Sequence, residues 1–205
     1  RDNLAEKNGL KLDFVDKVYN VPFARSPKSK DNLRAYKELK GIIEKEHYEI
    51  IHCNTPMGGI VTRLAAKKAR IKGTKVYYTA HGFHFYKGAP KKNWIVFYPI
   101  ERFFSRITDK VITITQEDYK LASQKFHCEV EHIHGVGVDG KRYHSVSNEE
   151  KGELKKKLGF LEEEKIILCV GELLPNKNQK MIIYAMKDLV SQYPNIKLLL
   201  AGNGP

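Results

Sequence analysis

Three short stretches of this sequence place side chains capable of chemistry directly after apolar runs. Thr79-Ala80-His81-Gly82-Phe83-His84-Phe85-Tyr86 follows the β-branched and aromatic run Lys75–Ala80 (KVYYTA). Open parallel sheets bind ligands at the carboxyl ends of their strands. His81 therefore stands where an imidazole can meet a substrate, and Gly82 lets backbone approach it; the plain alternative is a turn with two incidental histidines. Asn54-Thr55-Pro56-Met57-Gly58-Gly59 follows a second apolar run and opens a helix. Backbone amides at such a start can hold an anionic group, although an ordinary strand-to-helix turn accounts for the same residues. Gly171-Glu172-Leu173-Leu174-Pro175-Asn176-Lys177-Asn178 repeats the arrangement after KIILCV. Lys177, close to helix-start amides, can neutralise a diphosphate, or it is a solvated surface lysine.

Other combinations carry less. His81 and His84 form a possible metal pair without a third ligand nearby. His127, Cys128, His132 and His134 form a second cluster, with His132 and His134 on one strand face, but in no zinc spacing. Gly135-Val136-Gly137-Val138-Asp139-Gly140 fits G-x-G-x-x-G. Its continuation is Lys141-Arg142-Tyr143-His144-Ser145 rather than an apolar helix, so the phosphate-binding helix start is missing and a glycine-rich hinge is the better reading. The three cysteines, Cys53, Cys128 and Cys169, match no disulfide or zinc framework and read as buried thiols in a reducing cytoplasm.

The elements that must position these residues alternate between two periods. Helical spacing marks Asn32–Tyr48 (with Asp31 as its cap), Gly58–Arg70, Lys91–Arg106 (bent or broken near Pro99), Glu117–Phe126, Glu149–Leu158 and Asn178–Gln192. Short apolar runs mark strands at Glu49–Cys53, Lys75–Ala80, Lys110–Thr115, Glu129–Ile133, Lys165–Val170 and Ile196–Ala201. Continuous apolar strands separated by helices predict an α/β class with parallel sheets covered on both faces. Residues 1–145 read as a Rossmann-like domain whose first strand is missing. Residues 146–205 read as the incomplete start of a second such domain, with the linker near 135–150. The expectation is a chain cut at both ends, since the pattern opens without a strand and stops in the loop Gly202-Asn203-Gly204-Pro205.

The chain has 205 residues and a net charge of +12. Residues 51–110 hold 12 basic and 2 acidic side chains, whereas 111–205 hold 13 of each. That middle segment, including Arg63, Lys67, Lys68, Arg70, Lys72, Lys87, Lys91 and Lys92, predicts a surface facing phosphates, an acidic membrane or nucleic acid. Phe83, Phe85, Tyr86 and Trp94 interleave with it, as suits a membrane interface or a stacked nucleic acid. No apolar run reaches the roughly 18 residues of a membrane-spanning helix. No helix-turn-helix, RNP or finger pattern supports nucleic acid as the partner.

Taken together, IIHCNTPMGGIVTRLAAKKAR, YTAHGFHFYKGAPKKNW, YPIERFFSRITDKVITITQEDY, VGVDGKRYH and VGELLPNKNQKMIIYAM…LLLAGNGP resemble the bacterial family 4 glycosyltransferases of GT-B fold, of the capsular and exopolysaccharide type. The resemblance covers essentially the whole chain and implies two Rossmann-like domains facing a cleft. It implies transfer of a sugar from a nucleotide-diphosphate donor, UDP-sugar foremost, to a lipid-linked or saccharide acceptor. Retention of configuration is expected, with no cofactor and no metal. By the same resemblance His81 is the active-site histidine, with Gly58, Gly59 and Gly82 lining the acceptor side. Gly171, Glu172, Lys177, Gly202 and Gly204 belong to the donor and phosphate site, Glu172 standing where many members carry arginine. The family's paired-glutamate motif is expected beyond residue 205. The implied location is cytoplasmic, with a peripheral hold on the anionic inner face of the cell membrane, and no nucleic acid partner is expected. Rival readings are a GT-B-fold sugar-nucleotide epimerase and a non-catalytic nucleotide-sugar or nucleic-acid binder.

Overall fold

A computed structural model describes residues 12–204. It divides into two compact units at Gly137 and Val138. In the first unit, helix α1 (Lys30–Glu46) precedes strand β1 (Ile50–Asn54), helix α2 (Pro56–Ile71) and strand β2 (Lys75–Ala80). Helix α3 (Lys91–Phe104) tightens into a 3-10 turn at Ser105–Ile107, and strand β3 (Lys110–Thr113), helix α4 (Gln116–Lys125) and strand β4 (Glu129–His132) complete it. All four strands are parallel, in the order β1-β2-β3-β4. Parallel neighbours need helical crossovers, so every strand starts at the same edge and every carboxyl end faces the same side. Asn54 and His81 therefore emerge on one side of the sheet.

The second unit holds helix α5 (Asn148–Lys157), strand β5 (Lys165–Val170), a 3-10 turn at Pro175–Lys177, helix α6 (Gln179–Gln192) and strand β6 (Ile196–Ala201). β5 and β6 pair in parallel. Ser147 starts α5 through a reciprocal capping box with Glu150. Gly135 and Gly137 take positive φ, and the next helix among the described residues starts only at Asn148. The G-x-G-x-x-G stretch therefore lacks the helix start that a dinucleotide turn requires.

The structure corrects the sequence reading in three places. Ser29, not Asp31, caps α1: its hydroxyl accepts from the Asp31 amide, which puts Asp31 in the first turn. α3 runs through Pro99 without a break. Pro99 lies on the exposed side of the helix, where water can serve the carbonyl that loses its N–H partner. Arg63 does not belong to the basic surface: it is fully buried. Its Nε donates to the Gly59 carbonyl at 3.0 Å, and both terminal nitrogens donate to Glu101 Oε2 at 3.0 Å. Its guanidinium also lies 4.2 Å from the Tyr78 ring centre and 4.9 Å from that of Phe104. Helical spacing places Arg63 on the face of α2 that carries Gly59 and Ala66, so the charge goes inward with that face and brings Glu101 of α3 with it.

Two apolar clusters fill the first unit. Ile43, Ile51, Ala65, Ala66 and Val76 join α1 and α2 to the sheet. Cys53, Tyr78, Ala80, Phe83, Phe85, Val111 and Ala122 lie under the sheet's carboxyl-end loops.

Candidate functional site

In the first unit the site residues come from the ends of adjacent strands. Asn54 is the last residue of β1, and its parallel partner on β2 is Thr79, two residues before His81. His81 is exposed, and its Nε2 lies 3.0 Å from Asn54 Oδ1. One step back, His52 Nε2 lies 2.7 Å from the Thr79 hydroxyl. The chain leaves β1 abruptly: Thr55 has φ 64° and ψ 148°, a conformation almost confined to glycine. Gly82 has φ 134° with open space around it, so its backbone angle rather than crowding demands glycine there. Gly58 and Gly59 are set by contact instead. A Cβ on Gly58 would stand 2.7 Å from the Thr55 hydroxyl, and one on Gly59 would stand 2.7 Å from the Tyr78 ring. Gly59 is buried, so its side-chain position is a packing contact between α2 and β2.

The loop after β2 is fastened at several points. Phe83 and Phe85 turn inward and stack at 4.8 Å, while His84 and Tyr86 turn outward. Carboxylates in the first turn of α4 hold its backbone. Asp118 Oδ2 accepts from the Phe83 amide at 3.4 Å, and Glu117 Oε1 accepts from the Lys87 amide at 2.6 Å. Burial pushes the Asp118 carboxyl above the usual carboxylate range, and hydrogen bonds from Thr115 and the Phe83 amide partly offset that. Asn93 and Trp94 close the loop by donating to the carbonyls of His84 and Tyr86.

His84 stacks on Phe97 at 4.7 Å, while His81 meets Asn54 through its Nε2 alone. His132 and His134 do meet, with ring centres 4.9 Å apart, and Gln116 Nε2 lies 3.2 Å from His132 Nδ1. Among the described residues no three His, Cys, Asp or Glu side chains converge to hold an ion. Burial raises the thiols of Cys53 and Cys128 to about 11, which removes both as nucleophiles near neutral pH.

In the second unit the turns after β5 and β6 are pressed together. Gly171 has φ 156°, and its amide donates to the Ala201 carbonyl at 2.9 Å. A Cβ on Gly202 would run into the Gly171 carbonyl, and one on Gly204 would come within 3.1 Å of Leu173 Cβ. The Leu173 amide donates to the Asn203 carbonyl at 2.8 Å, so the two turns are tied as well as touching. Lys177 is exposed in the 3-10 turn, and its Cγ and Cδ lie 3.9 Å from the Cβ position of Gly171. Gln179, the first residue of α6, is buried and donates to the Glu172 carbonyl at 2.8 Å. Gly171, Glu172, Lys177, Gly202 and Gly204 thus form one cluster at the carboxyl ends of two parallel strands. The Gly171 and Leu173 amides are taken by the facing turn, so the groups that can receive phosphate oxygens there are the amides that start α6 and the exposed Lys177 ammonium group.

Three residues of this arrangement escaped the sequence reading: Glu117, Asp118 and Gln179. Asn54 was singled out with the helix start that follows it, but its pairing with His81 was not read. Glu117 and Asp118 were legible only as acidic residues in a helix first turn, which ordinarily face solvent.

Comparison with known proteins identifies the family and the fold. Residues 2–137 match the model for Glycosyltransferase Family 4, and residues 150–205 match that for Glycosyl transferases group 1. A Bacillus subtilis (strain 168) protein described as a glycosyltransferase, EpsD, is 45% identical over 204 residues, which is 98% of this chain and 54% of its own length. An Escherichia coli UDP-Gal:alpha-D-GlcNAc-diphosphoundecaprenol alpha-1,3-galactosyltransferase is 27% identical, over 98% of this chain and 53% of its own length. The chain spans about half the length of these curated relatives. Among solved structures, Anabaena Alr3699/HepE in complex with UDP superposes with a TM-score of 0.62 at 21% identity, covering 82% of this chain and 43% of that one. A UDP-N-acetylglucosamine 2-epimerase superposes with a TM-score of 0.55 at 13% identity, covering 96% and 50%. At such identities these two structures speak to the fold, which is the GT-B type.

Proposed function

The chain belongs to glycosyltransferase family 4, and from that premise we propose that it moves a sugar from a nucleotide-diphosphate donor to a hydroxyl of a lipid-linked or saccharide acceptor. The observation that carries this reading is the paired turn at Gly171 and Gly202 with Lys177 beside it. Breaking a glycosyl–diphosphate bond leaves negative charge on the departing nucleotide and positive charge on the sugar. Preorganised amides and an ammonium group at the first, without a metal, lower that barrier. His81 contacts the sugar. With the retention of configuration that the family resemblance implies, the transfer is front-face, the leaving phosphate helping to deprotonate the acceptor hydroxyl. A UDP-sugar is the donor this reading favours, supported by the UDP in the HepE structure and the UDP-Gal in the E. coli relative's name. That relative's diphosphoundecaprenol substrate supports a lipid-linked acceptor and a place in capsular or exopolysaccharide synthesis.

A lipid-linked acceptor places the enzyme at an anionic membrane face in the cytoplasm, and α3 supports that placement. A helix apolar on both faces is ordinarily buried, yet Ile95 is 74% and Phe103 54% exposed on its outer side. Lys91, Lys92 and Arg102 share that exposed side, and Glu101, the one acid of α3, faces inward to Arg63. Apolar side chains flanked by cations suit an interface with anionic lipid.

The first test follows thermal stability of the complete polypeptide against UDP, GDP, ADP and CMP. A ligand that binds only the folded state raises the midpoint. A selective rise with UDP that disappears in Lys177→Ala supports the reading, and no rise with any nucleotide removes Lys177 as a phosphate ligand. His81→Ala should lower turnover while leaving nucleotide binding intact. Sedimentation with anionic vesicles should weaken with salt and with Ile95→Glu; binding indifferent to both refutes the membrane placement.

A further inference from the structure

We infer that Asn54 is a positioning residue that selects which ring nitrogen of His81 carries a proton, and so makes His81 an acceptor toward a sugar hydroxyl rather than a donor toward phosphate. The inference deepens, and rests on, the reading of His81 as the imidazole that meets the substrate.

The geometry is direct. His81 Nε2 lies 3.0 Å from Asn54 Oδ1, a carbonyl oxygen that can only accept. Nε2 is therefore the donor. In a neutral imidazole the other nitrogen, Nδ1, then holds a bare lone pair. Because the His81 side chain is exposed, that lone pair is open to a ligand. It can accept a hydrogen bond from a hydroxyl, but has nothing to donate to a phosphate oxygen. A sugar offers such hydroxyls and a nucleotide diphosphate does not offer them at its phosphates.

The backbone around Asn54 supports a built arrangement rather than a chance contact. Asn54 ends its strand, and the next residue already turns into α2. Pro56 opens that helix, and the Gly59 amide donates to the Thr55 carbonyl at 2.8 Å as its first turn closes. Proline disfavours the helical conformation in the residue before it. Thr55 takes a φ of 64°, where a β-branched side chain is strained. The strain confines the change of direction to one residue and leaves Asn54 in register beside β2. The competing imidazole, His52, is already engaged with the Thr79 hydroxyl.

The test uses the complete polypeptide with isotope-labelled histidine. Carbon and nitrogen chemical shifts of the His81 ring report its tautomer at a pH where it is neutral, in the wild type, in Asn54→Ala and in Asn54→Asp, which keeps an acceptor oxygen. The expected result is the Nε2–H form in the wild type and Asn54→Asp, and a mixture in Asn54→Ala. Turnover of Asn54→Ala should fall about tenfold, the worth of one hydrogen bond in the transition state. The donor KM should stay nearly constant, and Asn54→Asp should fall less. An Nδ1–H ring in the wild type, or a tautomer indifferent to Asn54→Ala, overturns the inference whatever the activities. His81→Ala separates the two levels. Should its turnover equal the wild type, the role of His81 in the reaction fails while the tautomer result stands by itself.

Discussion

Replacing Arg63 with methionine isolates the buried ion pair from the packing around it. Methionine keeps an unbranched stem between the rings of Tyr78 and Phe104, but removes the guanidinium that serves Glu101 and the Gly59 carbonyl. Arg63 is fully buried and the Glu101 side chain is 9% exposed, so water cannot replace the lost partner. Stranding one member of such a pair costs about 3–5 kcal/mol, far above the roughly 0–1 kcal/mol of an exposed pair. With a urea dependence of about 2 kcal/mol per molar, the unfolding midpoint of the first unit should fall by about 2 M. Trp94, the sole tryptophan of the sequence, sits on α3 against the core cluster and reports that transition by fluorescence. The double variant Arg63→Met with Glu101→Leu removes both charges and should recover at least half of the loss, since apolar replacement of a buried pair is often close to neutral. A single-variant loss below about 1 kcal/mol, or a double variant no better than the single, would refute the argument that burial sets the value of this pair.

Other expectations rest on the same geometry. Asp118 is raised by burial, so its folded state favours the protonated acid; that contribution is complete below the unfolded value of about 4 and is lost as pH rises through the folded value. Asp118→Asn should therefore be more stable than the wild type at neutral pH, with the gain vanishing below about pH 4; a gain independent of pH denies the carboxyl its part. Cys53, buried and with its thiol raised by burial to about 11, should alkylate more slowly than the partly exposed Cys169; equal labelling rates by mass spectrometry at neutral pH would contradict this. Gly202→Ala should part the two turns of the second unit and abolish nucleotide-dependent stabilisation, as read by thermal shift, whereas Gly140→Ala, which meets open space, should change nothing.

The strand runs KVYYTA, KIILCV and IKLLLA were legible to the residue, because each is a continuous β-rich run bounded by turn residues. Helix ends were less so. Ser29 and Asp31 are both capping types, and only the backbone conformation decides between them. The fate of Arg63 was not legible. A basic residue on a helix reads as solvated, and its inward turn depends on Glu101, 38 positions later in the chain. The positions of His81 and Lys177 followed from strand ends, whereas Asn54 and Asp118 act across strands and loops, a relation that one-dimensional spacing does not encode.

The alternation in the loop after β2 has a consequence for variation. Phe83 and Phe85 form part of the core, and the Phe83 amide is tied down by Asp118. His84 and Tyr86 point away from that core. The loop is thus a fixed scaffold on which position 86 is the freer facet, since His84 also stacks on Phe97. New side chains at 86 can vary while the foundation beneath them stays whole, without the loop first being stabilised elsewhere.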